Sequence, residues 1–88
     1  MSDPSWSLVV TRPAGRDLRR LDPPVRRRVG QALEGLLVDE QRGDVRPLVG
    51  RPEWRLRVGD WRVFYLRDTT SRIVTVTRVL PRGRAYDR

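Results

Sequence analysis

The chain has 88 residues, of which 38% are hydrophobic and 34% charged, enough for one small domain with a single core. The sequence contains no cysteine and no histidine, which excludes disulfides, thiolate chemistry and active sites that use histidine as a base or metal ligand. All 19 basic residues are arginine, against 11 acidic residues, and the net charge of +8 predicts a polyanionic partner.

The first half of the chain predicts one strand and two helices. Residues 6–11 (WSLVVT) are apolar and β-branched and predict a strand. The next apolar residues recur at i, i+4 and i+7 and indicate a short amphipathic helix: Ala14, Leu18 and Leu21. A second helix follows, with Asp22 as N-cap and Pro23 at its first position. Its apolar stripe is Val25, Val29, Ala32, Leu33, Leu36 and Leu37. Close approach of the neighbouring helix would explain Gly30 and Gly35 within it.

A loop and a hairpin follow the second helix. Residues 39–52 contain acids, glycines and prolines and predict a long surface loop. The hydrophobic period then changes to two, so residues 54–58 and 61–66 predict a β-hairpin closed by the two-residue loop Gly59-Asp60.

The chain order predicts an α+β fold. A turn at residues 68–71 leads to a last strand over residues 73–77, and the remaining tail has no assigned element. The order strand, helix, helix, strand, strand, strand predicts a two-helix hairpin on one face of a sheet that includes a three-stranded antiparallel meander. The other face is expected to be open. We expect residues 1–88 to form this single domain, with frayed ends at residues 1–5 and 87–88.

The predicted hairpin register separates the side chains by face. Arg57 pairs with Arg62, and Arg55 pairs with Phe64, on the open face. The face under the helices receives Trp54, Leu56, Val58, Trp61, Val63 and Tyr65. Because like charges opposite each other destabilise a strand pair, this cluster predicts a negative ligand from outside the fold. The alternative is that these arginines are ordinary solvent-facing residues of a half-exposed sheet.

Other charged segments carry weaker signals. Arg26-Arg27-Arg28 falls on the solvated side of the second helix. The tail combines basic and aromatic residues, an unspecific nucleic-acid signal: Arg82, Arg84, Tyr86 and Arg88. The loop acids lack the spacing of metal ligands and are interpreted as solvated charge: Asp39, Glu40 and Asp44. The sequence therefore predicts no metal site and no cofactor.

The sequence predicts no association with a membrane. No apolar run approaches the roughly 20 residues that a spanning helix requires. The N-terminal segment MSDPSWSLVV has an acid where a signal peptide carries positive charge. We therefore expect a cytoplasmic protein.

Two segments of the chain, taken with the element order, carry a family resemblance. They are PLVGRPEWRLRVGDWRVFYLRD and VTRVLPRGRAY. Together they contain the Leu48-Val49-Gly50 loop, an aromatic-Arg-x-Arg strand, a tight turn, an aromatic-Arg strand and a terminal Arg-x-x-x-Tyr. Over about residues 6–86 the chain resembles the RelE/ParE superfamily of bacterial type II toxins, in particular the RelE-like mRNA interferase branch.

The resemblance implies an endoribonuclease that cleaves mRNA in the ribosomal A site, inhibits translation and is held inactive by a cognate antitoxin in a hetero-oligomer. Carried over by position, the catalytic residues are Arg55, Arg57, Arg62, Arg82 and Tyr86. The RNA-binding residues are Arg55, Arg57, Arg62, Phe64 and Arg84. This chain departs from well-studied relatives in two ways, because they often have lysine in the second strand and often have a histidine where Pro81 stands here.

The departures affect proton transfer in the implied mechanism. Metal-free cleavage by the 2′-hydroxyl requires a positioned base and acid and a stabilised phosphorane charge. Arginines suit the second task but keep their protons. Tyr86, Tyr65 or Glu53 could exchange the proton, and the resemblance favours Tyr86 as base. Ribosomal RNA and the substrate phosphate are an alternative source of the missing group.

Two other functions fit the same sequence. A ParE-like protein would inhibit DNA gyrase without catalysis, although such proteins commonly lack the pair formed by Arg82 and Tyr86. A non-catalytic RNA-binding or regulatory module would keep the basic sheet face without turnover, which fits the missing lysine and histidine.

Overall fold

The computed structural model describes residues 6–83, except for the side chain of Arg42. The helices are α1 (Arg12–Arg19) and α2 (Pro23–Val38), and a 3₁₀ turn spans Glu40–Arg42. The strands are β1 (Ser7–Val10), β2 (Asp44–Pro47), β3 (Trp54–Val58), β4 (Trp61–Asp68) and β5 (Ile73–Pro81). They form one sheet in the order β1-β5-β4-β3-β2, in which β1 runs parallel to β5 and every other pair is antiparallel.

The predicted α+β architecture is confirmed, with one additional strand. Residues 39–52 were expected to be a loop, and this is wrong for β2, which pairs with β3 and extends the meander to four strands. β2 has only four residues and ends in a proline, a composition that sequence patterns do not distinguish from a loop.

The last strand is longer than the alternation predicts. β5 continues to Pro81 instead of ending at Thr77, and a register shift against β4 lies between Phe64 and Tyr65. Tyr65 pairs with Val76 and Phe64 with Arg78, so Thr77 is the extra residue of a bulge. The bulge returns Val79 to the buried face and explains why an alternating pattern stops at Thr77.

Thr11 connects β1 to α1. Its backbone N–H donates to the Val76 carbonyl, and its Oγ1 donates to the carbonyls of Val76 and Thr77 at 3.0 and 3.2 Å. The same Oγ1 accepts from the backbone N–H of Ala14, which caps the N-terminus of α1. The helix therefore begins where β1 stops pairing with β5.

The predicted start of α2 is confirmed, and the prediction for its glycines is wrong. Asp22 is the N-cap with an extended backbone, although its side chain makes no capping hydrogen bond, and Pro23 is the first helical residue. A Cβ added to Gly30 or Gly35 would meet no atom within 4 Å, so close packing of a neighbouring helix does not require either glycine.

The core lies between the helices and one face of the sheet. It contains Ala14, Leu21, Val29, Leu33, Leu36, Leu56, Val63, Tyr65, Val74, Val76 and Val79. Trp54, Val58 and Trp61 pack against it while half-buried, as the predicted register requires. No helix in residues 6–83 is long and apolar enough to cross a membrane.

Candidate functional site

The sheet face opposite the helices, here called the open face, collects the arginines of three neighbouring strands. The predicted register is confirmed, because Arg57 pairs with Arg62 and Arg55 pairs with Phe64. The unpredicted strand β2 adds Arg46 beside Arg55. The alternating Asp44-Val45-Arg46 was the only sequence signal for this residue. The structure therefore brings together a larger basic cluster than the hairpin alone provides.

An acid within the fold offsets part of this charge. Asp44 pairs with Arg57 across β2 and β3, and its Oδ1 lies 3.6 Å from the Arg55 guanidinium. Asp44 was expected to be a solvated loop residue; its side chain is 52% exposed, but the residue belongs to β2 and not to a loop. It supplies from within the fold part of the negative charge that was expected from outside. Arg46 and Arg57 remain exposed, whereas the Arg55 side chain is only 14% exposed.

Arg62 is buried, which corrects its expected place in solvent. The residue is 3% exposed, and its guanidinium donates to the carbonyls of Gly59 and Trp61, both at 3.0 Å. Its Nε is buried without a hydrogen-bond partner in the described part of the chain. Arg62 thus stabilises the β3–β4 turn through these two hydrogen bonds and adds a buried positive charge below the exposed Arg57.

Phe64 offers little surface to a nucleotide in this structure. The residue is 8% exposed and lies outside the main core cluster, on the open face between Arg55 and Arg78. Its predicted role in RNA binding would require the side chains around it to move. In this structure Phe64 is therefore a buried residue of the open face.

Arg82 lies at the turn end of the open face. Its backbone N–H donates to the Asp60 carbonyl at 2.8 Å, directly beyond the pairing of Pro81 with Trp61. Leu80 pairs with Arg62, so the alternation of β5 directs Arg82 to the same side. Arg82 is exposed and shares this end of the sheet with Arg57. Arg84 and Tyr86 lie outside the described residues.

The structure excludes one of the candidate proton acceptors. Tyr65 lies in the core at 0% exposure, and its hydroxyl donates to Glu40 Oε2 at 2.9 Å. Burial, followed by this hydrogen bond and the Glu40 charge, raises the pKa of the Tyr65 hydroxyl above its usual value. Glu40, expected to be solvated, also pairs with Arg67 at 3.3 Å. Tyr65 is therefore a structural residue of the helix side.

Glu53 is the carboxylate at the other end of the open face. Its Oε2 accepts from Thr77 Oγ1 at 3.1 Å, and its Oε1 pairs with Arg51 at 3.0 Å. The side chain is 17% exposed. Residues 6–83 contain no group of three or more acidic side chains that could hold a metal ion.

Comparison with known proteins places this geometry in a family. The family model described as the ParE toxin of the type II toxin-antitoxin system, parDE, matches residues 8–86. None of the curated proteins compared with the sequence matches it.

Solved structures support the same assignment. The archaeal RelE-RelB complex from Pyrococcus horikoshii has a TM-score of 0.76 and 25% identity, covering 90% of this chain and 97% of that chain. The RelBE2 toxin-antitoxin complex from Mycobacterium tuberculosis has a TM-score of 0.77 and 28% identity, covering 88% and 98%. The intact Escherichia coli RelBE complex shares the fold, with a TM-score of 0.68 and 22% identity over 85% and 94%. The chain therefore belongs to the ParE toxin family of type II toxin-antitoxin systems, within the RelE/ParE superfamily.

Proposed function

We propose that this toxin is an endoribonuclease that cleaves mRNA, in the ribosomal A site, and thereby inhibits translation. One observation carries the proposal: exposed arginines on β2, β3 and the end of β5 surround the buried Arg62 on a single face. Arg46, Arg57 and Arg82 could contact successive phosphates of one strand. Such a row of cations fits a polyanionic backbone better than a small ligand.

The arginines would act on the charge that develops during cleavage. The 2′-oxygen forms a bond to phosphorus, the bond to the 5′-oxygen breaks, and the products are a 2′,3′-cyclic phosphate and a 5′-hydroxyl. A base takes the 2′-hydroxyl proton, and an acid protonates the leaving oxygen. Guanidinium groups at Arg57 and Arg82 stabilise the phosphorane, while Arg62 raises the local positive potential. Tyr86 is the proposed base on the family resemblance. Glu53 pairs with Arg51 at the opposite end of the face, so ribosomal RNA or the substrate phosphate is the proposed source of the proton for the leaving oxygen.

Arg57→Ala tests this proposal. The side chain is exposed and faces the like charge of Arg62 on one side and the opposite charge of Asp44 on the other, so we expect the melting temperature to change little. Cleavage of mRNA in a translation extract, mapped by primer extension, should fall about 100-fold or more, because one transition-state contact is lost.

Arg27→Ala is the matched control, since it removes an equal charge from the exposed side of α2. It should cleave at nearly the parent rate. If Arg57→Ala folds and cleaves as fast as the parent, the open face is not the active surface.

Inhibition of DNA gyrase is the second candidate function. The observation that favours it is the match of residues 8–86 to the ParE toxin model. A supercoiling assay with the purified chain distinguishes the two. Inhibited supercoiling without mRNA cleavage would replace the ribonuclease proposal, and cleavage with normal supercoiling would support it. If the chain neither cleaves mRNA nor inhibits supercoiling, the remaining candidate is a non-catalytic RNA-binding module of the same fold.

A cognate antitoxin is the proposed protein partner, in a toxin-antitoxin hetero-oligomer. Several structural relatives were solved as complexes with RelB antitoxins. A net charge of +8 favours a partner with an acidic segment. Affinity for the partner should fall as salt rises from about 50 to 500 mM, and a constant affinity would contradict the electrostatic part of this proposal.

A further inference from the structure

A cavity lies at the β3–β4 turn, on the side of the sheet opposite the open face. It has a volume of about 220 Å³ and lies between the first part of α2 and the turn, on the helix side of the sheet. Its lining residues are Val25, Arg28, Val58, Gly59, Asp60 and Trp61. Neither the proposed cleavage chemistry nor the core accounts for it.

The cavity combines an apolar floor with two free charges of opposite sign. Val25, Val58 and Trp61 are half-buried, so each keeps part of its surface accessible. Arg28 and Asp60 are exposed. Neither charged side chain forms an ion pair or hydrogen bond with another residue of 6–83. Both groups therefore retain their full bonding capacity for a ligand.

The turn that carries Asp60 is held in place from several directions. Gly59 has φ 57°, as type II′ hairpins require of their first central residue. Its carbonyl accepts from Arg62, and the Asp60 carbonyl accepts from the Arg82 backbone N–H. Arg28 reaches over the turn, since its guanidinium lies 3.8 Å from the position of a Cβ on Gly59. These hydrogen bonds fix the backbone of the turn before any ligand arrives, and the Arg28 guanidinium lies close to that backbone.

We propose that this cavity binds a nucleobase, guanine in preference to the others, of the same RNA strand whose phosphates lie on the open face. Single-stranded RNA is recognised by stacking of bases on aromatic side chains and by hydrogen bonds to their exposed edges. The Asp60 carboxylate accepts from the two adjacent N–H groups of guanine, and the Arg28 guanidinium donates to O6 and N7. Adenine opposes both groups, because it presents an acceptor toward Asp60 and an amino donor toward Arg28. The Trp61 indole supplies the stacking surface.

The position of the cavity connects it to the proposed phosphate contacts. Val58 lines the cavity and directly follows Arg57, whose side chain points to the opposite face. Arg82 bonds to the backbone of Asp60 itself. A strand that crosses the turn end of the sheet can therefore place a phosphate on one side and the neighbouring base on the other. This inference rests on the proposed function, because it assumes that the open face holds RNA.

Binding of uncleavable RNA tests the inference separately from catalysis. Short 2′-O-methyl oligouridines that carry a single central guanine or a single central adenine are labelled and titrated with the full chain by fluorescence anisotropy. The guanine oligomer should bind at least about fivefold more tightly. Arg28→Ala and Asp60→Asn should each reduce that ratio to near one. Arg27→Ala, the neighbouring exposed arginine, should keep it, and a thermal melt confirms that each variant is folded.

The outcomes separate the two proposals. Equal affinity for the two oligomers, with binding that Arg57→Ala weakens, overturns the guanine site and leaves the ribonuclease proposal standing. A guanine preference that Arg28→Ala and Asp60→Asn do not alter also overturns the site. Failure to bind either oligomer overturns this inference and RNA binding together. A guanine preference without cleavage of mRNA supports the cavity and rejects catalysis.

Discussion

Removal of the Asp17 carboxylate should destabilise the fold strongly, because Asp17 completes the β5 edge where β1 has ended. Asp17 lies on α1 and is 8% exposed. One of its oxygens accepts from the Val79 backbone N–H at 2.8 Å and from Arg78 Nε at 2.8 Å, and the other accepts from Arg78 at 3.2 Å. The helix thus provides the acceptor that a longer β1 would otherwise supply.

The contacts set the size of the effect. A hydrogen bond to a charged group contributes about 1.5–3 kcal/mol, and Asp17→Ala leaves the buried Val79 N–H without its acceptor. The Arg78 side chain is 45% exposed, so its ion pair adds at most about 1 kcal/mol. We expect Asp17→Ala to lower the unfolding free energy by about 2–4 kcal/mol in total. For a domain of this size that lowers Tm by roughly 10–30 °C.

Thermal melts followed by circular dichroism measure this loss. Asp22→Ala is the matched control, since it removes the same charge from an exposed cap that makes no side-chain hydrogen bond. The control should change stability by no more than about 0.5 kcal/mol. A loss below about 1 kcal/mol for Asp17→Ala would refute the proposed edge closure.

The same carboxylate gives the fold a specific pH dependence. Burial raises the pKa of Asp17, but the hydrogen bonds from Arg78 and Val79 and the arginine charges outweigh burial, so the pKa lies below its usual value. A lowered folded-state pKa adds stability that is fully present above the unfolded pKa of about 4 and is lost as pH falls through the folded pKa. The stability advantage of the parent over Asp17→Asn should therefore shrink in acid below about pH 4. An advantage that stays constant down to about pH 2 would contradict this reasoning.

Three further substitutions test the two faces of the sheet. Leu56→Ala should cost about 2–5 kcal/mol in urea unfolding, because Leu56 is 1% exposed beneath the helices; a smaller loss would place it outside the core. Arg62→Ala should lower Tm instead of leaving it unchanged, since two carbonyl contacts of about 1 kcal/mol or more each are lost; an unchanged melt would show that its burial adds no stability. Tyr65→Phe should lower the unfolding free energy by about 1–2 kcal/mol, because the hydrogen bond to Glu40 is lost, while cleavage of mRNA stays at the parent rate. A folded variant that no longer cleaves would show that Tyr65 acts in the active site.

The hairpin was predictable because its signals are local. The register follows from two local features, the alternation of apolar and polar residues in two adjoining runs and a two-residue turn that begins with glycine. All five residue pairs, from Trp54 with Tyr65 to Val58 with Trp61, are as expected. The strand β2 was not predictable, since its four residues gain their regular structure only by pairing with β3. The bulge at Thr77 is likewise set by packing across the sheet.

The sequence predicts on which face of the sheet the candidate site residues lie, but it does not predict which of their side chains are exposed to solvent. Alternation placed Arg55, Arg57 and Arg62 together, yet it does not say which guanidinium reaches solvent. Arg62 is buried because the carbonyls of its own turn lie within reach, and Asp44 joins the cluster through a strand that the sequence does not reveal. Burial of charged side chains depends on such partners, which periodicity does not encode.

The parallel pairing of β1 with β5 has a consequence for biosynthesis. Thr11 bonds to the carbonyls of residues 76 and 77, which lie 65 and 66 positions later in the chain. β1 therefore cannot pair until β5 has been translated, and closing so long a loop must precede the contacts that stabilise it. The sheet cannot be complete until β5 has left the ribosome that makes it. During that interval each newly made copy contains β1 and the start of α1 without the strand to which they bond, so this edge of the sheet stays unformed.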